Sequence, residues 1–120
     1  MRMERIIHLK KDDQNIEYYE TGDGNDFRIG DIFGRNYDLP FTFGITEMYP
    51  SKGVEFGYDD DASICLCLEG TFNIENAKTG DVTRFEKDDL VYIPKEDGKI
   101  YIWSTLEYAK LAFVTYPHWR

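Results

Sequence analysis

Short apolar segments that recur between turn residues constrain the fold of this chain more than any other feature. Gly, Pro, Asn and Asp interrupt the chain about every 8–12 residues, and the stretches between them alternate apolar with polar residues or are rich in aromatic and β-branched ones. No window of about ten residues shows a capped 3.6-residue period. The pattern predicts about ten strands in an all-β sandwich or barrel, and a jelly roll would close its edges. The predicted strands are RIIHL, NIEYYE, FRIGDIFG, LPFTFGITEMYP, SICLCLEG, TFNIEN, VTRFE, LVYIP, KIYIWS and EYAKLAFVTYP.

The length and charge of the chain limit its organisation and its partners. The 120 residues fit a single domain over 1–120, with N-terminal strands over 1–35 and a barrel core over 40–119. A formal net charge of −9 disfavours binding to nucleic acid or to an anionic membrane. Because no apolar run approaches about 18 residues and the first residues lack a signal-peptide core, we expect a soluble, cytoplasmic protein.

The segment ICLCL carries the only two cysteines of the chain, Cys65 and Cys67. Residues at i and i+2 of a strand point the same way, which is poor disulfide geometry, so both thiols are predicted to be inert core groups. The alternate positions Ile64, Leu66 and Leu68 are apolar as well. A strand that is apolar on both faces needs cover on both, and a second subunit commonly provides it, so we expect a homodimer.

The region 68–98 resembles the cupins. LEG, which ends at Gly70, matches the end of the first cupin motif. DDLVYIPK resembles the second-motif stretch GDVVFIPxG, with Asp89, Ile93 and Pro94 matching and Asp88 in place of the usual Gly. The tail FVTYPHW and the lead-in GITEMYP…EFGYDDD are similar to the ethanolamine-utilisation cupins of the protein Q type. The resemblance implies a single-domain, cupin-type jelly-roll β-barrel.

The metal-binding positions of the cupin motifs hold unusual residues in this chain. Counted from the motif glycine and proline, the first-motif histidines fall at Gly57 and Asp59 and the glutamate at Ser63. The second-motif histidine falls at Lys99 or, with a longer turn, at Tyr101. Divalent metals in such barrels prefer imidazoles with a carboxylate, so we expect no metal and no cofactor. The ethanolamine-utilisation type resembles this chain in lacking the usual histidine set.

Strand parity predicts a small polar pocket inside the barrel. Aromatic walls and carboxylates suit a cation or a polyhydroxylated molecule. Because repulsion between paired carboxylates raises the pKa of one of them, Glu47, Asp59 and Tyr101 are candidates for acid–base catalysis. The simpler alternatives are a solvated turn for the acids and amphipathic core positions for the tyrosines. The predicted ligand-binding residues are Glu47, Tyr49, Asp59, Asp61, Ser63, Cys65, Tyr92, Lys99, Tyr101, Trp103 and Tyr116.

Three functions are compatible with this pattern. The resemblance implies a metal-independent cupin that binds a small molecule, with an accessory or regulatory role in metabolism such as ethanolamine or carbohydrate utilisation. The first alternative is a small isomerase, epimerase or lyase that uses barrel carboxylates and tyrosines. The second is a structural dimerisation module whose barrel is filled by its own side chains.

Overall fold

The computed structural model describes residues 6–14, 16–21, 26–50 and 53–120, so the glycine-rich turn over 22–25 lies outside the described residues. Ten strands and two short 3₁₀ turns, at Lys11–Asp13 and Arg35–Tyr37, form in this part of the chain. No helix there is long and apolar enough to cross a membrane. The strands are β1 (Glu17–Thr21), β2 (Phe27–Phe33), β3 (Thr42–Met48), β4 (Val54–Tyr58), β5 (Ala62–Glu69), β6 (Thr71–Asn76), β7 (Val82–Glu86), β8 (Leu90–Ile93), β9 (Glu96–Ser104) and β10 (Ala109–Tyr116).

The strands pack as two antiparallel sheets around one core. The six-stranded sheet has the order β1-β2-β3-β10-β5-β8, and the four-stranded sheet has the order β4-β9-β6-β7. Strand β10 lies between β3 and β5, so strands far apart in sequence close the sandwich. The predicted single-domain, all-β jelly roll is confirmed by this arrangement.

Alternation along the strands selects the inward face. On β3, Thr42, Gly44, Thr46 and Met48 are buried while the residues between them are partly exposed. The two sheets meet over apolar side chains, and burying each large one stabilises the fold by about 1.5–3 kcal/mol. The largest fully buried side chains are Phe72, Met48, Leu111 and Cys67.

Two turns explain residues that the motif comparison singles out. Gly70 has a φ of 75°, and a Cβ atom there would collide with the carbonyl oxygen of Tyr108, so only glycine fits. Asp88 has a φ of 74°, a left-handed conformation that glycine adopts freely and that aspartate tolerates. The next residue, Asp89, accepts a hydrogen bond from the Glu86 backbone N–H at 2.9 Å, which closes the β7–β8 turn.

The structure differs from the predicted strands at three places. Residues 6–9 of the segment RIIHL form no ladder, and Arg5 lies outside the described residues. Strand β4 was not predicted, because its glycine and the acids that follow it resemble turn chemistry. Apolar residues nevertheless alternate along this strand: Val54 and Tyr58 are buried, and Phe56 packs against the core. β4 pairs with β9, which also begins three residues earlier than predicted, at Glu96.

Candidate functional site

A cavity of about 320 Å³ lies between the two sheets. Its volume falls at the lower end of the range of roughly 300–1,000 Å³ that is typical of small-molecule sites. Strands β2, β3, β5 and β10 form one wall, and β4 and β9 form the other. The groups along its lining that can form hydrogen bonds include Thr46, Glu55, Tyr58, Asp61, Ser63 and Thr115.

Asp61 is the most buried carboxylate of the cavity. It precedes β5 directly, and only 6% of the residue is exposed. Burial, and to a smaller extent the neighbouring Asp60 carboxylate, together raise the pKa of Asp61 to about 6. No ion pair involves Asp61 among the described side chains. A ligand in the cavity therefore meets a carboxyl group that titrates close to neutral pH.

Two buried polar atoms of the lining lack hydrogen-bond partners within the described residues: Trp103 Nε1 and Thr115 Oγ1. The Tyr58 hydroxyl is near the Trp103 indole, but the pair does not reach good hydrogen-bond geometry. Burial raises the pKa of Tyr58 well above its ordinary value, so this hydroxyl keeps its proton. A buried donor without a partner costs about 1–3 kcal/mol, which a bound acceptor would recover.

The thiol of Cys65 is part of the lining but is not an activated nucleophile. Its Sγ atom lies 3.5 Å from the Ser63 hydroxyl. Burial raises the pKa of Cys65 to about 11, so the reactive thiolate is rare at neutral pH. The thiol contributes a small polarizable surface to the cavity.

Four of the predicted ligand-binding residues line this cavity together. Asp61, Ser63 and Cys65 alternate inward along the start of β5, and Trp103 faces them from β9. The side-chain alternation expected from the sequence therefore agrees with the orientations observed from position 61 to position 67.

Three predicted residues near the cavity are not part of its lining. Parity placed Asp59 inside, whereas this residue is exposed and its carboxylate accepts a hydrogen bond from the Gly98 N–H at 2.8 Å. Lys99 pairs with Glu96 on the surface, with 3.8 Å between Nζ and Oε1. Tyr101 is half-buried and packs against the core, with its ring 5.9 Å from that of Tyr58. Asp59 departs from the strand period because it belongs to the turn between β4 and β5, where side chains no longer alternate.

Glu47 and Tyr49 lie on the opposite face of the six-stranded sheet. Glu47 accepts a hydrogen bond from the Tyr108 hydroxyl at 2.6 Å and lies 3.4 Å from Arg28 Nη1. The rings of Tyr49 and Tyr108 are 5.2 Å apart. Burial, and then the hydrogen bond to Glu47, raise the pKa of Tyr108. This network ties β2, β3 and β10 together on the outer face, away from the cavity.

Tyr92 and Tyr116 also point away from the cavity. They are 64% and 67% exposed, and β8 and the neighbouring β5 carry further exposed apolar side chains on the same face. We call this surface the outer patch, and it consists of Ile64, Leu68, Leu90, Tyr92 and Tyr116. Ile64 pairs directly with Tyr92, so the outer patch is continuous across β5 and β8.

The segment 116–120 closes one side of the cavity, and we call it the strap. Trp119 lines the cavity, and its Nε1 donates a hydrogen bond to Asp31 Oδ1 at 2.7 Å. The other carboxylate oxygen of Asp31 accepts from Arg120 Nε at 2.9 Å. Tyr19 meets the Trp119 ring edge-on at 5.5 Å. A single carboxylate on β2 therefore orients the aromatic wall that the strap contributes.

His118 holds the strap to the segment before β3. Its Nε2 atom lies 2.9 Å from the Leu39 carbonyl oxygen, and its Nδ1 atom lies 2.6 Å from the Thr42 hydroxyl. A carbonyl can only accept, so Nε2 donates to Leu39, while Nδ1 shares a hydrogen bond with the Thr42 hydroxyl, which can donate or accept. This histidine, like the strap, was not among the predicted site residues.

Sequence reasoning also missed further residues of the lining, which lie on β3, β4, β10 and the strap. On β3 the larger apolar residues Phe43 and Ile45 favour one face, whereas Thr46 of the other face lines the cavity. Residues from Ile6 to Leu9 lie beside Phe43 and Ile45 on the outer side, which explains why that face is apolar too. The residues missed in this way are Thr46, Glu55, Tyr58, Thr115 and Trp119.

The residues at the cupin metal positions do not fit a transition metal. Gly57 offers no side chain, and the Asp59 carboxylate is engaged by the Gly98 N–H. Ser63 is a weak neutral ligand, and Lys99 is a cation. Within the described residues, no group of three or more His, Cys, Asp or Glu side chains is placed to hold a metal ion.

Comparison with known proteins identifies the fold. No family model matches the chain, and no curated protein matches it. Among solved structures, the Clostridium difficile EutQ protein has 24% identity and a TM-score of 0.67, covering 77% of this chain. This chain spans 63% of that EutQ protein.

Two further structures share the architecture. The cupin domain of Schizosaccharomyces pombe Cnp3 has 15% identity and a TM-score of 0.68 over 94% of this chain and 75% of that one. The ectoine synthase from P. lautus has 14% identity and a TM-score of 0.73 over 94% of this chain and 79% of that one. The chain therefore has the cupin fold that it shares with EutQ proteins, as the motif resemblance predicts.

Proposed function

We propose that this chain is a metal-independent cupin that binds a small organic molecule in the cavity between its sheets. The observation that carries the proposal is a cavity of ligand size whose wall holds buried polar atoms without partners, Trp103 Nε1 and Thr115 Oγ1. A barrel filled by its own side chains would leave no such space, which favours binding over a purely structural role. The donor set at the motif positions supports binding without a metal.

The metabolic role that we propose is accessory or regulatory, in the cytoplasm, within amine or carbohydrate utilisation. Its support is the likeness to EutQ proteins, which is a likeness of fold. We further propose that two copies pair through the outer patch, because five large apolar side chains there are exposed.

A second candidate function is acid–base catalysis, which the raised pKa of Asp61 favours. In this case Asp61 acts with the Tyr58 hydroxyl, rather than Glu47, Asp59 or Tyr101, because only the first two line the cavity. Turnover of a bound compound that Asp61→Asn abolishes while binding persists would distinguish the enzyme from the binding protein.

Both tryptophans of the chain line the cavity, so intrinsic fluorescence can report binding. The experiment screens amines, polyols, sugars and small acids by fluorescence and thermal shift, with and without EDTA. We expect at least one saturable response that EDTA leaves unchanged. Stoichiometric iron, manganese, zinc or nickel in the purified protein would contradict metal independence.

A pair of leucine substitutions tests whether the response comes from the cavity. Ser63→Leu adds volume to the cavity, whereas Ile64→Leu changes the adjacent residue on the outer face. We expect the first variant to lose the response and the second to keep it. A response that survives Ser63→Leu, or a complete absence of responses in the native protein, overturns the proposal.

A further inference from the structure

The charged groups that line the cavity all have the same sign. Asp61 is buried in the wall and Glu55 is exposed at the rim, and the lining contains no lysine, arginine or histidine among the described residues. An anionic ligand would be buried beside the Asp61 carboxylate without a counter-charge in the lining, which disfavours it strongly. A neutral polyol would leave the ionised Asp61 carboxylate without a partner in a largely buried position.

Aromatic rings form much of the remaining wall. The rings of Phe27 and Phe56 are 4.8 Å apart, and Trp103 meets Phe27 edge-on at 5.9 Å. Rings that enclose a space next to a carboxylate attract a cation through their electron-rich faces, and the attraction grows as water is excluded. The aromatic residues of the lining are Tyr19, Phe27, Phe56, Tyr58, Trp103, Phe113 and Trp119.

The unpartnered polar atoms add a second requirement. An indole N–H can only donate, so Trp103 Nε1 needs an acceptor, and it is 2% exposed in a wall where the protein offers none of good geometry. The Thr115 hydroxyl, on the opposite sheet, is buried and unpartnered as well. An oxygen atom on the ligand satisfies one of these groups or both.

We propose that the cavity selects a small organic cation that carries a hydroxyl or other oxygen acceptor, with its charge beside Asp61 and its oxygen toward Trp103 and Thr115. The inference deepens the proposed function and depends on it. It names a class of ligand, the hydroxylated ammonium compounds, that the fold alone does not indicate.

Three compounds of nearly equal shape test the inference on the native protein. Choline carries both the charge and the hydroxyl, 3,3-dimethyl-1-butanol lacks the charge, and propyltrimethylammonium lacks the hydroxyl. Affinities come from tryptophan fluorescence and calorimetry, with glucose as the polyol control. We expect choline to bind about tenfold more tightly than either analogue, since each analogue leaves one feature of the wall without a partner.

Asp61→Asn separates the charge from the shape of the cavity. In this variant we expect choline and 3,3-dimethyl-1-butanol to bind within about threefold of each other. If the variant does not fold, the pH dependence of the native protein provides the test. Choline affinity should then fall as the pH is lowered through about 6, where Asp61 is protonated, while the affinity of the neutral alcohol stays constant. The titratable groups that interact with Asp61 are the Asp60 carboxylate and the Tyr58 hydroxyl, and Glu55 and Cys65 line the same cavity.

The outcomes separate the two proposals. If glucose or another neutral compound saturates the fluorescence signal and choline does not, the cavity binds small molecules but the cation inference is wrong. Equal affinities for choline and its neutral analogue also overturn the inference. If no compound of any class binds, the proposed function fails together with it.

Discussion

At the scale of the residue, the burial of Asp61 lowers the stability of the fold and also provides a carboxylate for a ligand in the cavity. Its carboxyl group is buried in a wall that supplies no cation, so ionisation of the folded protein is unfavourable. A residue kept in such a position is destabilising unless a ligand offsets its charge. The parity of β5 predicted its inward direction, but β4, which forms the opposite cavity wall, was not predicted from the sequence.

The pH dependence of folding should report this carboxyl group. Its folded pKa of about 6 exceeds the ordinary 3.8, so the folded state binds more protons between these two values. Stability is therefore lost as pH rises from about 4 to 6, and the loss is complete above that window. Because the cavity admits water, which screens the carboxylate, we expect the loss in the free energy of unfolding to be about 1–2 kcal/mol. This is less than the full pKa shift of Asp61 would give.

Urea unfolding of the native protein and of Asp61→Asn between pH 4 and 8 measures this loss. The free energy of unfolding of Asp61→Asn should exceed that of the native protein by an amount that grows through the window. Other carboxylates titrate in both proteins and cancel in the difference. Curves that stay parallel would show that Asp61 is not destabilised by burial.

At the scale of the element, the strap and β3 position the cavity wall. The strap depends on Asp31 of β2, which binds both Trp119 and Arg120, and on the two hydrogen bonds of His118. Strand β3 places Thr46 in the wall because Gly44 lets it approach β2 and β10 closely. The strands themselves were mostly predictable from local alternation, whereas the strap was not, since its contacts join residues more than 75 positions apart.

Asp31→Ala removes the two hydrogen bonds that Asp31 accepts from the strap. We expect it to lower the free energy of unfolding by about 1–3 kcal/mol and to expose Trp119 to acrylamide quenching. Asp31→Asn is the matched control, because its amide oxygen still accepts from the Trp119 indole. A native-like quenching profile for Asp31→Ala would contradict the role assigned to this carboxylate.

Gly44→Ala tests the close approach of the strands. A Cβ atom there would overlap the Gly30 carbonyl oxygen and the Phe113 ring, so we expect a loss of about 1–3 kcal/mol or more in chemical denaturation. Gly57→Ala on β4 is the control, because its Cβ atom would lie at ordinary distances of 3.5 Å from Asp59 Oδ2 and 3.7 Å from the Lys99 carbonyl oxygen. Equal stability of the two variants would contradict the packing described.

At the scale of the whole molecule, each of the two sheets has one face toward the cavity and one face toward the surroundings. The inner faces meet over the core and the cavity, while the outer patch leaves Leu90 70% exposed and Ile64 48% exposed. Because both faces of the strand ICLCL are apolar, the sequence predicted that a second surface covers its outer face. The structure places the outer patch where a partner copy could supply that cover, and the assembly itself stays a prediction.

Leu90→Glu tests this assembly. We expect the native protein to sediment as a dimer at micromolar concentration and Leu90→Glu to sediment as a monomer, since a buried charge without a partner opposes association. Leu106→Glu adds the same charge at another exposed leucine, 86% exposed and outside the outer patch, and should leave the dimer intact. A native protein that stays monomeric at high concentration would contradict the prediction.

The sequence by itself determined the all-β class, most strand positions and the turns at Gly70 and Asp88. These features follow from side-chain alternation and backbone dihedral preferences, which act over a few neighbouring residues. Only the tertiary structure decided which face of each strand lines the cavity. Both faces of β3 and β5 carry residues that can be buried, so local parity leaves two choices and long-range pairing selects one. Glu47 lies outside and Thr46 inside for this reason, and Asp61 meets Trp103 only because β4 and β9 close over β5.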